Sequence, residues 1–294
     1  MLERIAVAAT ELCWGTVQSA PIETLVSVAS DNGFESITIT PWMGQQLVED
    51  PERLARIRAS MAAAGVRIGC LDALIKGLPG IPATEAVPPE QRQNFSYGAD
   101  ACLRVAEALD IRLLNITHYL GQPVALAALV DAIGAVAERA GTLGMATCIE
   151  FIPGSGIPDL ATAVRISSAA GSNVGILVDT WHFARTGGTA AELRELAPGS
   201  VLCIQVNDRI GQEGGPVEGP DGPVYLTMAN RRLPGDGELP LVELVSALLA
   251  NNPGVPVGIE VFSDEMRSLP AQTAAHRAAV ALQRILPAAP AAVI

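Results

Sequence analysis

Four apolar segments in the second half of the chain end in polar side chains that could hold a metal ion or move a proton. Glu150, Asp179 and Glu260 carry carboxylates, and Gln205 carries an amide. A buried carboxylate is costly unless it is paired, so several of them together indicate a bound cation. The set is rich in hard oxygen ligands and suits Mn²⁺ or Mg²⁺, with Zn²⁺ or Co²⁺ as alternatives. The competing interpretation is that each acid only caps the helix that follows it.

These polar residues must be positioned by a regular alternation of strands and helices. Apolar segments that predict strands are residues 4–10, 35–40, 66–71, 111–117, 145–151, 174–179, 201–206 and 256–261. The clearest helical candidates are residues 51–64, 89–109, 124–143 and 239–249. Near-continuous apolar strands between helices indicate a parallel sheet covered by helices. Eight such units in 294 residues predict an α/β protein with a single-domain (β/α)8 TIM barrel.

The barrel is expected to occupy residues 1–286, with a C-terminal tail at 287–294. A doubly wound open sheet is the structural alternative, but the turn after the first strand lacks the G-x-G-x-x-G pattern. Residues 211–238 hold seven glycines and four prolines and follow the seventh strand. We interpret them as a long β7–α7 loop that acts as a lid or contacts substrate, with a disordered insertion as the alternative.

Other residues that follow predicted strands are candidates for contact with a substrate, because barrel enzymes build their sites at the carboxyl ends of the strands. The aromatic candidates are Trp14, Trp42 and Trp181, which either cover the barrel core or stack on a substrate ring. The polar candidates are Asp72, Lys76, His118 and Arg209. For Lys76 and His118, a place in an exposed or structural loop is the alternative. His276 lies in a helical stretch and is expected at the surface.

Composition excludes several classes of partner. The chain has 19 Lys and Arg against 31 Asp and Glu, a net charge of −12, which disfavours nucleic acid and anionic membranes. No apolar run approaches the roughly 18 residues of a membrane span. Five cysteines, an odd number, favour reduced thiols and a cytoplasmic location. Cys70, Cys148 and Cys203 each precede a candidate site residue by two positions, which predicts a buried layer beneath the site.

Several motifs together resemble a known family. The pieces CIEFIP, ILVDTWHFAR, IQVND, RRLPGDGEL and GIEVF occur in this order between Glu150 and Phe262. They resemble the sugar phosphate isomerase/epimerase family of xylose-isomerase-like TIM barrels. The resemblance implies one divalent cation, with Mn²⁺ favoured, bound by Glu150, Asp179, Gln205 and Glu260. It also implies that His182 contacts substrate, with metal binding, seen in some members of that family, as the alternative. Many relatives carry histidine where this chain has Gln205.

The resemblance implies a metal-dependent isomerase or epimerase acting on a small polyhydroxylated carbonyl compound. Glu150 and Glu260 would exchange protons with the substrate through a metal-stabilised enediolate. Two alternatives stay open. One is a lyase, either an inosose-type dehydratase or an enzyme that eliminates next to a ketone; the other is a non-catalytic accessory barrel. Three histidines disfavour the related nucleases, which use a histidine-rich zinc centre. We expect a small-molecule substrate that is neutral and rather apolar, and a possible dimer or tetramer.

Overall fold

Eight parallel β-strands close into a barrel in the order in which they follow one another along the chain. The computed structural model describes residues 9–18, 20–211 and 228–286. The strands are β1 (Thr10–Leu12), β2 (Ser36–Ile39), β3 (Arg67–Leu74), β4 (Leu113–Thr117), β5 (Ala146–Glu150), β6 (Val174–Asp179), β7 (Val201–Val206) and β8 (Val257–Ile259). β8 pairs with β1, with Ile259 beside Leu12, which closes the sheet. The predicted single-domain TIM barrel is confirmed.

Helices follow the strands and bury their apolar faces against the barrel. They are α1 (Ile22–Asp31), α2 (Pro41–Val48), α3 (Pro51–Ala64), α4 (Ala99–Leu109), α5 (Leu126–Thr142), α6 (Leu160–Ala170), α7 (Thr180–Arg185), α8 (Ala190–Arg194), α9 (Leu241–Asn251), α10 (Asp264–Arg267) and α11 (Ala271–Ile285). α3 matches its predicted range because both ends carry strong signals. Asp50 caps the first turn by accepting a hydrogen bond from the Arg53 amide, and Gly65 ends the helix at φ 66°.

The structure corrects the sequence interpretation at three elements. β1 begins at Thr10, whereas residues 4–10 were predicted; residues 4–8 lie outside the described residues. β3 continues to Leu74 and so includes Asp72 within the strand. The helix predicted at 89–109 is divided into a 3₁₀ helix, Pro89–Phe95, and α4. The division occurs because Gly98, which precedes α4, is fully extended (ψ −174°).

The barrel interior beneath the site contains the predicted layer of cysteines. Cys70, Cys148 and Cys203 form one buried cluster with Leu113 and Leu177. All five cysteines of the chain are buried and unpaired. The layer confirms that the residue two positions after each of the three cysteines also points into the barrel.

Glu11 on β1 is a charged residue inside the same barrel, and sequence analysis did not identify it. It is fully buried. Gly69 on β3 makes room for it, since a Cβ atom at that position would lie 1.8 Å from Glu11 Oε2.

The remaining expectations about domain limits concern segments that the structure covers only in part. Residues 212–227 of the long loop and the tail at 287–294 lie outside the described residues. The described end of the loop returns to the barrel through bridges between Asp208 and Arg232 and between Asn230 and Ser263. Within the described residues, no helix combines the length and apolar character needed to cross a membrane.

Candidate active site

A cavity opens at the carboxyl ends of the strands, above the cysteine layer. Its polar surface consists of Asp72, Glu150, His182, Arg231 and Glu260 together with Asn94 and Thr117. The rest of its wall is mainly apolar and includes Trp14, Pro41, Ile75, Tyr119, Ile152, Met228 and Phe262. The acidic residues at the strand ends therefore share one buried site, as the barrel topology predicts.

Three side chains at one side of this cavity are arranged as a set of potential metal ligands. Glu150, Asp179 and His182 each offer one ligand atom, and these atoms all lie within 4.8 Å of one another. His182 Nε2 lies 3.5 Å from Glu150 Oε1. Glu150 ends β5, Asp179 ends β6, and His182 lies in the first turn of α7, so the strand ends and one helix start bring them together.

Asp179 both caps α7 and faces the site. Its Oδ1 accepts hydrogen bonds from the backbone amides of Trp181 at 2.7 Å and His182 at 3.1 Å. Its Oδ2 accepts one from Asn207 Nδ2 at 3.0 Å and one from Arg231 Nη1 at 2.7 Å. The helix-capping interpretation and the site interpretation therefore both hold for this residue, with one oxygen serving each.

Arg231 is the cation at the centre of the acidic group, and sequence analysis missed it as a site residue. Its Nη1 donates to Asp179 Oδ2 and, at 2.9 Å, to Glu260 Oε2. The guanidinium carbon lies 5.0 Å from the Phe262 ring centre and 6.0 Å from that of Trp181. Burial is tolerated because two carboxylates and two aromatic rings stabilise the charge. The only signal in the sequence was its place at the start of the RRLPGDGEL motif.

The rest of that motif fixes the segment that carries Arg231. Asp208 Oδ2 accepts hydrogen bonds from the amides of Gly235 at 3.0 Å and Gly237 at 3.1 Å, and its Oδ1 accepts one from Leu239 at 3.0 Å. A Cβ atom at Gly237 would lie 2.4 Å from Asp208 Oδ1, so the close approach requires glycine. The Arg231 amide in turn donates to the Phe262 carbonyl at 3.0 Å.

Two amide side chains connect the remaining acids. Asn115 Nδ2 donates to Asp72 Oδ1 at 2.7 Å and to Glu150 Oε2 at 2.9 Å. Gln205 Nε2 donates to Glu260 Oε1 at 3.1 Å and to Asp72 Oδ2 at 3.4 Å. Gln205 thus presents its amide nitrogen to the carboxylates, while its Oε1 has no hydrogen-bond partner within the described chain. Its role as a metal ligand stays a prediction, and His182 is the better placed third ligand.

The electrostatics of the site show an excess of negative charge. Burial, followed by the charges of Asp72 and Asp179, raises the pKa of Glu150 to about 8. Burial also raises the pKa of Glu260 well above its usual value, although Arg231 opposes the shift. Burial lowers the pKa of His182 to about 4, so its imidazole is neutral near pH 7. A neutral imidazole beside several crowded acidic side chains fits a divalent cation, whose binding would release the protons that these acids hold.

Three other predicted site residues do not reach the cavity. Both ring nitrogens of His118 are used between loops, where Nε2 bonds to the Pro79 carbonyl at 2.7 Å and Nδ1 accepts from the Gly156 amide at 2.9 Å. Arg209 Nη2 donates to the Ala184 carbonyl at 3.4 Å. Trp42, in the first turn of α2, packs against the barrel core. All three follow a strand but are not among the residues that line the cavity, and their contact with substrate stays a prediction.

The other candidates divide between the cavity and its surroundings. Trp14 and Asp72 line the cavity. Trp181 is buried behind Arg231 and does not line it. Lys76 is exposed and donates to the Ser96 carbonyl at 3.2 Å, which matches the loop alternative. His276 is exposed, as expected.

Comparison with known proteins identifies sequences that are similar to this chain. A family model described as xylose isomerase-like TIM barrel matches residues 26–285. An inosose isomerase from Halalkalibacterium halodurans is 26% identical over 149 residues, which cover 49% of this chain and 49% of that protein. The match therefore spans about half the length of this relative.

Solved structures resemble the whole barrel. The IOLI protein with a bound zinc atom has a TM-score of 0.76 at 16% identity, covering 94% of this chain and 97% of that one. D-psicose 3-epimerase in the presence of D-fructose has a TM-score of 0.69 at 18% identity, covering 94% and 97%. The probable 3-DHS dehydratase AsbF from Bacillus anthracis has a TM-score of 0.71 at 16% identity, covering 93% and 98%. At these identities the likeness shows a shared fold.

Proposed function

This chain belongs to the xylose isomerase-like TIM barrel family, and on that premise we propose that it is a metal-dependent isomerase or epimerase of a small polyhydroxylated carbonyl compound. The observation that carries the proposal is the cavity itself. Two glutamates from different strands, Glu150 and Glu260, line the same cavity beside a neutral histidine and a further buried acid. The inosose isomerase and the D-psicose 3-epimerase among the similar proteins are consistent with this class of reaction.

We assign the metal to Glu150, Asp179 and His182, with Glu260 and Gln205 as the further ligands implied by the family motifs. When bound, a divalent cation supplies Lewis-acid polarisation of a carbonyl group, which makes the neighbouring C–H group more acidic. Mn²⁺ is the ion favoured from the sequence. Zn²⁺ deserves equal testing, because the set includes an imidazole nitrogen and one similar structure contains zinc.

The proton transfers are assigned to the two glutamates. Glu260 is the base that removes the proton next to the carbonyl, and Glu150 returns a proton from its own side of the cavity. Asn115 orients Glu150, and Gln205 and Arg231 orient Glu260 through the hydrogen bonds described above. Return of the proton to the same carbon on its other face gives epimerisation, and return to the neighbouring carbon gives isomerisation.

The proposal is tested by proton exchange, which does not depend on knowing the product. The protein, loaded with Mn²⁺ or Zn²⁺, is incubated in D₂O with inososes and ketoses, and the signals of protons next to the carbonyl are followed by NMR. We expect loss of one such signal for at least one substrate. Glu260→Gln should abolish the exchange, whereas Glu52→Gln, at an exposed position, should not change it. Exchange that persists in Glu260→Gln would remove this residue from the mechanism.

A dehydratase is the second candidate, because elimination begins with the same proton abstraction and the barrel resembles that of a probable dehydratase. Mass spectrometry of the product separates the two reactions. An isomerase or epimerase keeps the mass of its substrate, whereas a dehydratase product is lighter by one water molecule. Absence of exchange and of bound metal under all conditions would favour the accessory barrel instead.

A further inference from the structure

Two hydroxyl groups in the cavity wall have no hydrogen-bond partner within the described chain. Asn115, Thr117 and Tyr119 follow one another at spacings of two along β4 and the residues just beyond it. Asn115 is fully bonded to Asp72 and Glu150. Thr117 and Tyr119 both line the same cavity, and the two residues are only 5% and 8% exposed. Their hydroxyl oxygens are buried and make no hydrogen bond within the described chain.

Unpartnered hydroxyl groups at such positions indicate what the cavity receives. A buried polar atom without a partner costs about 1–3 kcal/mol, so buried polar atoms that lack a protein partner generally bond to a ligand or water. A hydroxyl both donates and accepts. It therefore pairs well with another hydroxyl, and this property matches a polyhydroxylated ligand. Neither group hydrogen-bonds to Glu150 or Glu260, the residues that are assigned to proton transfer.

The surroundings of Tyr119 are apolar. Tyr119 belongs to a cluster with Ile75, Val87 and Phe95 that covers this side of the barrel mouth. The Tyr119 ring centre lies 6.1 Å from that of Phe95, which holds the ring in place. This side of the cavity therefore offers the Tyr119 hydroxyl group among mainly apolar side chains, with Thr117 two residues earlier in the chain.

The charges of the site disfavour an anionic ligand. Arg231 is committed to Asp179 and Glu260, and Lys76 bonds to a loop carbonyl away from the cavity. Among the described residues that line the cavity, Arg231 is the one lysine or arginine. Its guanidinium is bonded to two carboxylates, so an anionic group would lack a cationic partner there.

We propose that Thr117 and Tyr119 are specificity-determining residues that bind hydroxyl groups of a neutral polyhydroxylated substrate, at positions distant from its reacting carbon. The inference deepens the proposed function and rests on it for the identity of the reacting carbonyl. Binding by the two hydroxyls does not require turnover, so it can be tested separately.

The test measures binding of chosen probes to the Mn²⁺-loaded full chain by calorimetry. D-Fructose and myo-inositol are the neutral probes, and D-fructose 6-phosphate is the anionic counterpart of the first. Each hydroxyl contributes about 1 kcal/mol, so Tyr119→Phe and Thr117→Val should each weaken binding of a neutral probe about fivefold. Thr147→Val removes another buried, unpartnered hydroxyl that does not line the cavity, and it should leave affinity unchanged.

Stability separates this role from a structural one. Because neither hydroxyl bonds to the protein, Tyr119→Phe and Thr117→Val should not lower the urea midpoint of the ligand-free chain. Unchanged affinity in both variants, tighter binding of the phosphorylated probe, or no binding of either neutral probe would overturn the inference. Hydroxyl-dependent binding without proton exchange would support it and refute the proposed function. Proton exchange that is unaffected by both substitutions would support the proposed function and refute the role of the two hydroxyl groups.

Discussion

Replacing Glu11 by glutamine should change how the free energy of unfolding depends on pH. Glu11 lies inside the barrel with no exposed surface, and neither carboxylate oxygen makes a well-formed hydrogen bond within the described chain. Burial raises its pKa from 4.5 to about 7, while the nearby Ser36 hydroxyl opposes the shift. The native protein therefore holds this proton more tightly than the unfolded chain does.

The sign and size of the effect follow from this difference. Below about pH 4.5 the carboxyl is protonated in both states, and its stabilising contribution is complete. As the pH rises, the unfolded chain releases the proton first, so stability falls until the native carboxyl also ionises near pH 7. A pKa raised from 4.5 to about 7 corresponds to a loss of about 3 kcal/mol across this range. Glutamine has no proton to lose and removes this part of the pH dependence.

The measurement is urea unfolding of both proteins between pH 4 and pH 8, followed by tryptophan fluorescence with a chelator present. The other buried acids titrate in both proteins, so the difference between the two curves isolates Glu11. Between pH 4 and pH 8, the free energy of unfolding of Glu11→Gln should rise by about 3 kcal/mol relative to that of the native chain. Glu52→Gln, at an exposed position, should run parallel to the native chain. Parallel curves for Glu11→Gln would refute the reasoning, because they would mean that Glu11 ionises as easily in the barrel as in the unfolded chain.

Three further substitutions test the description of the site. Arg231→Met removes the cation that competes for Asp179 and Glu260, so the affinity for Mn²⁺ measured by calorimetry should rise about tenfold; unchanged or weaker binding would contradict the competition. Asn115→Leu removes one hydrogen-bond donor from each of two buried acids, Asp72 and Glu150, and should cost about 2–3 kcal/mol in urea unfolding with chelator. A neutral result would show that the acids find other donors. His118→Phe should cost about 1–3 kcal/mol without changing Mn²⁺ affinity, since its two hydrogen bonds join loops. A changed metal affinity at normal stability would place this histidine at the site after all.

The parts of the site that could be predicted were those on the last four strands. Glu150 and Asp179 each end a strand of five or six residues with a strong apolar pattern, so their position at the barrel mouth followed from the topology. β1 could not be predicted in the same way. It has three residues, and Glu11 at its centre interrupts any apolar pattern. The barrel accepts that carboxyl because Gly69 on a neighbouring part of the sheet leaves space for it, a pairing that no local pattern encodes.

Residues beyond the strands were harder to predict because their direction depends on tertiary contacts. His118 and Arg209 each follow a strand, as a site residue would, but neither lines the cavity. His118 bonds to the Pro79 carbonyl in a loop, and Arg209 bonds to the Ala184 carbonyl in α7. Arg231 lies far from any strand end in sequence. It reaches the centre of the site because its backbone pairs with Phe262 and because Asp208 gathers the amides of the motif that follows.

Gln205 stands where the family resemblance implies a histidine in many relatives, and its amide makes contacts that an imidazole could not make. One NH₂ group donates to both Glu260 and Asp72, and Asn115 supplies the other donor to Asp72. A neutral imidazole has a single N–H and could serve only one of these carboxylates. Asp72 is buried, and a buried acid without its donors is costly. The NH₂ group of Gln205 therefore helps this site to hold Asp72 as an additional buried acid beside Glu260.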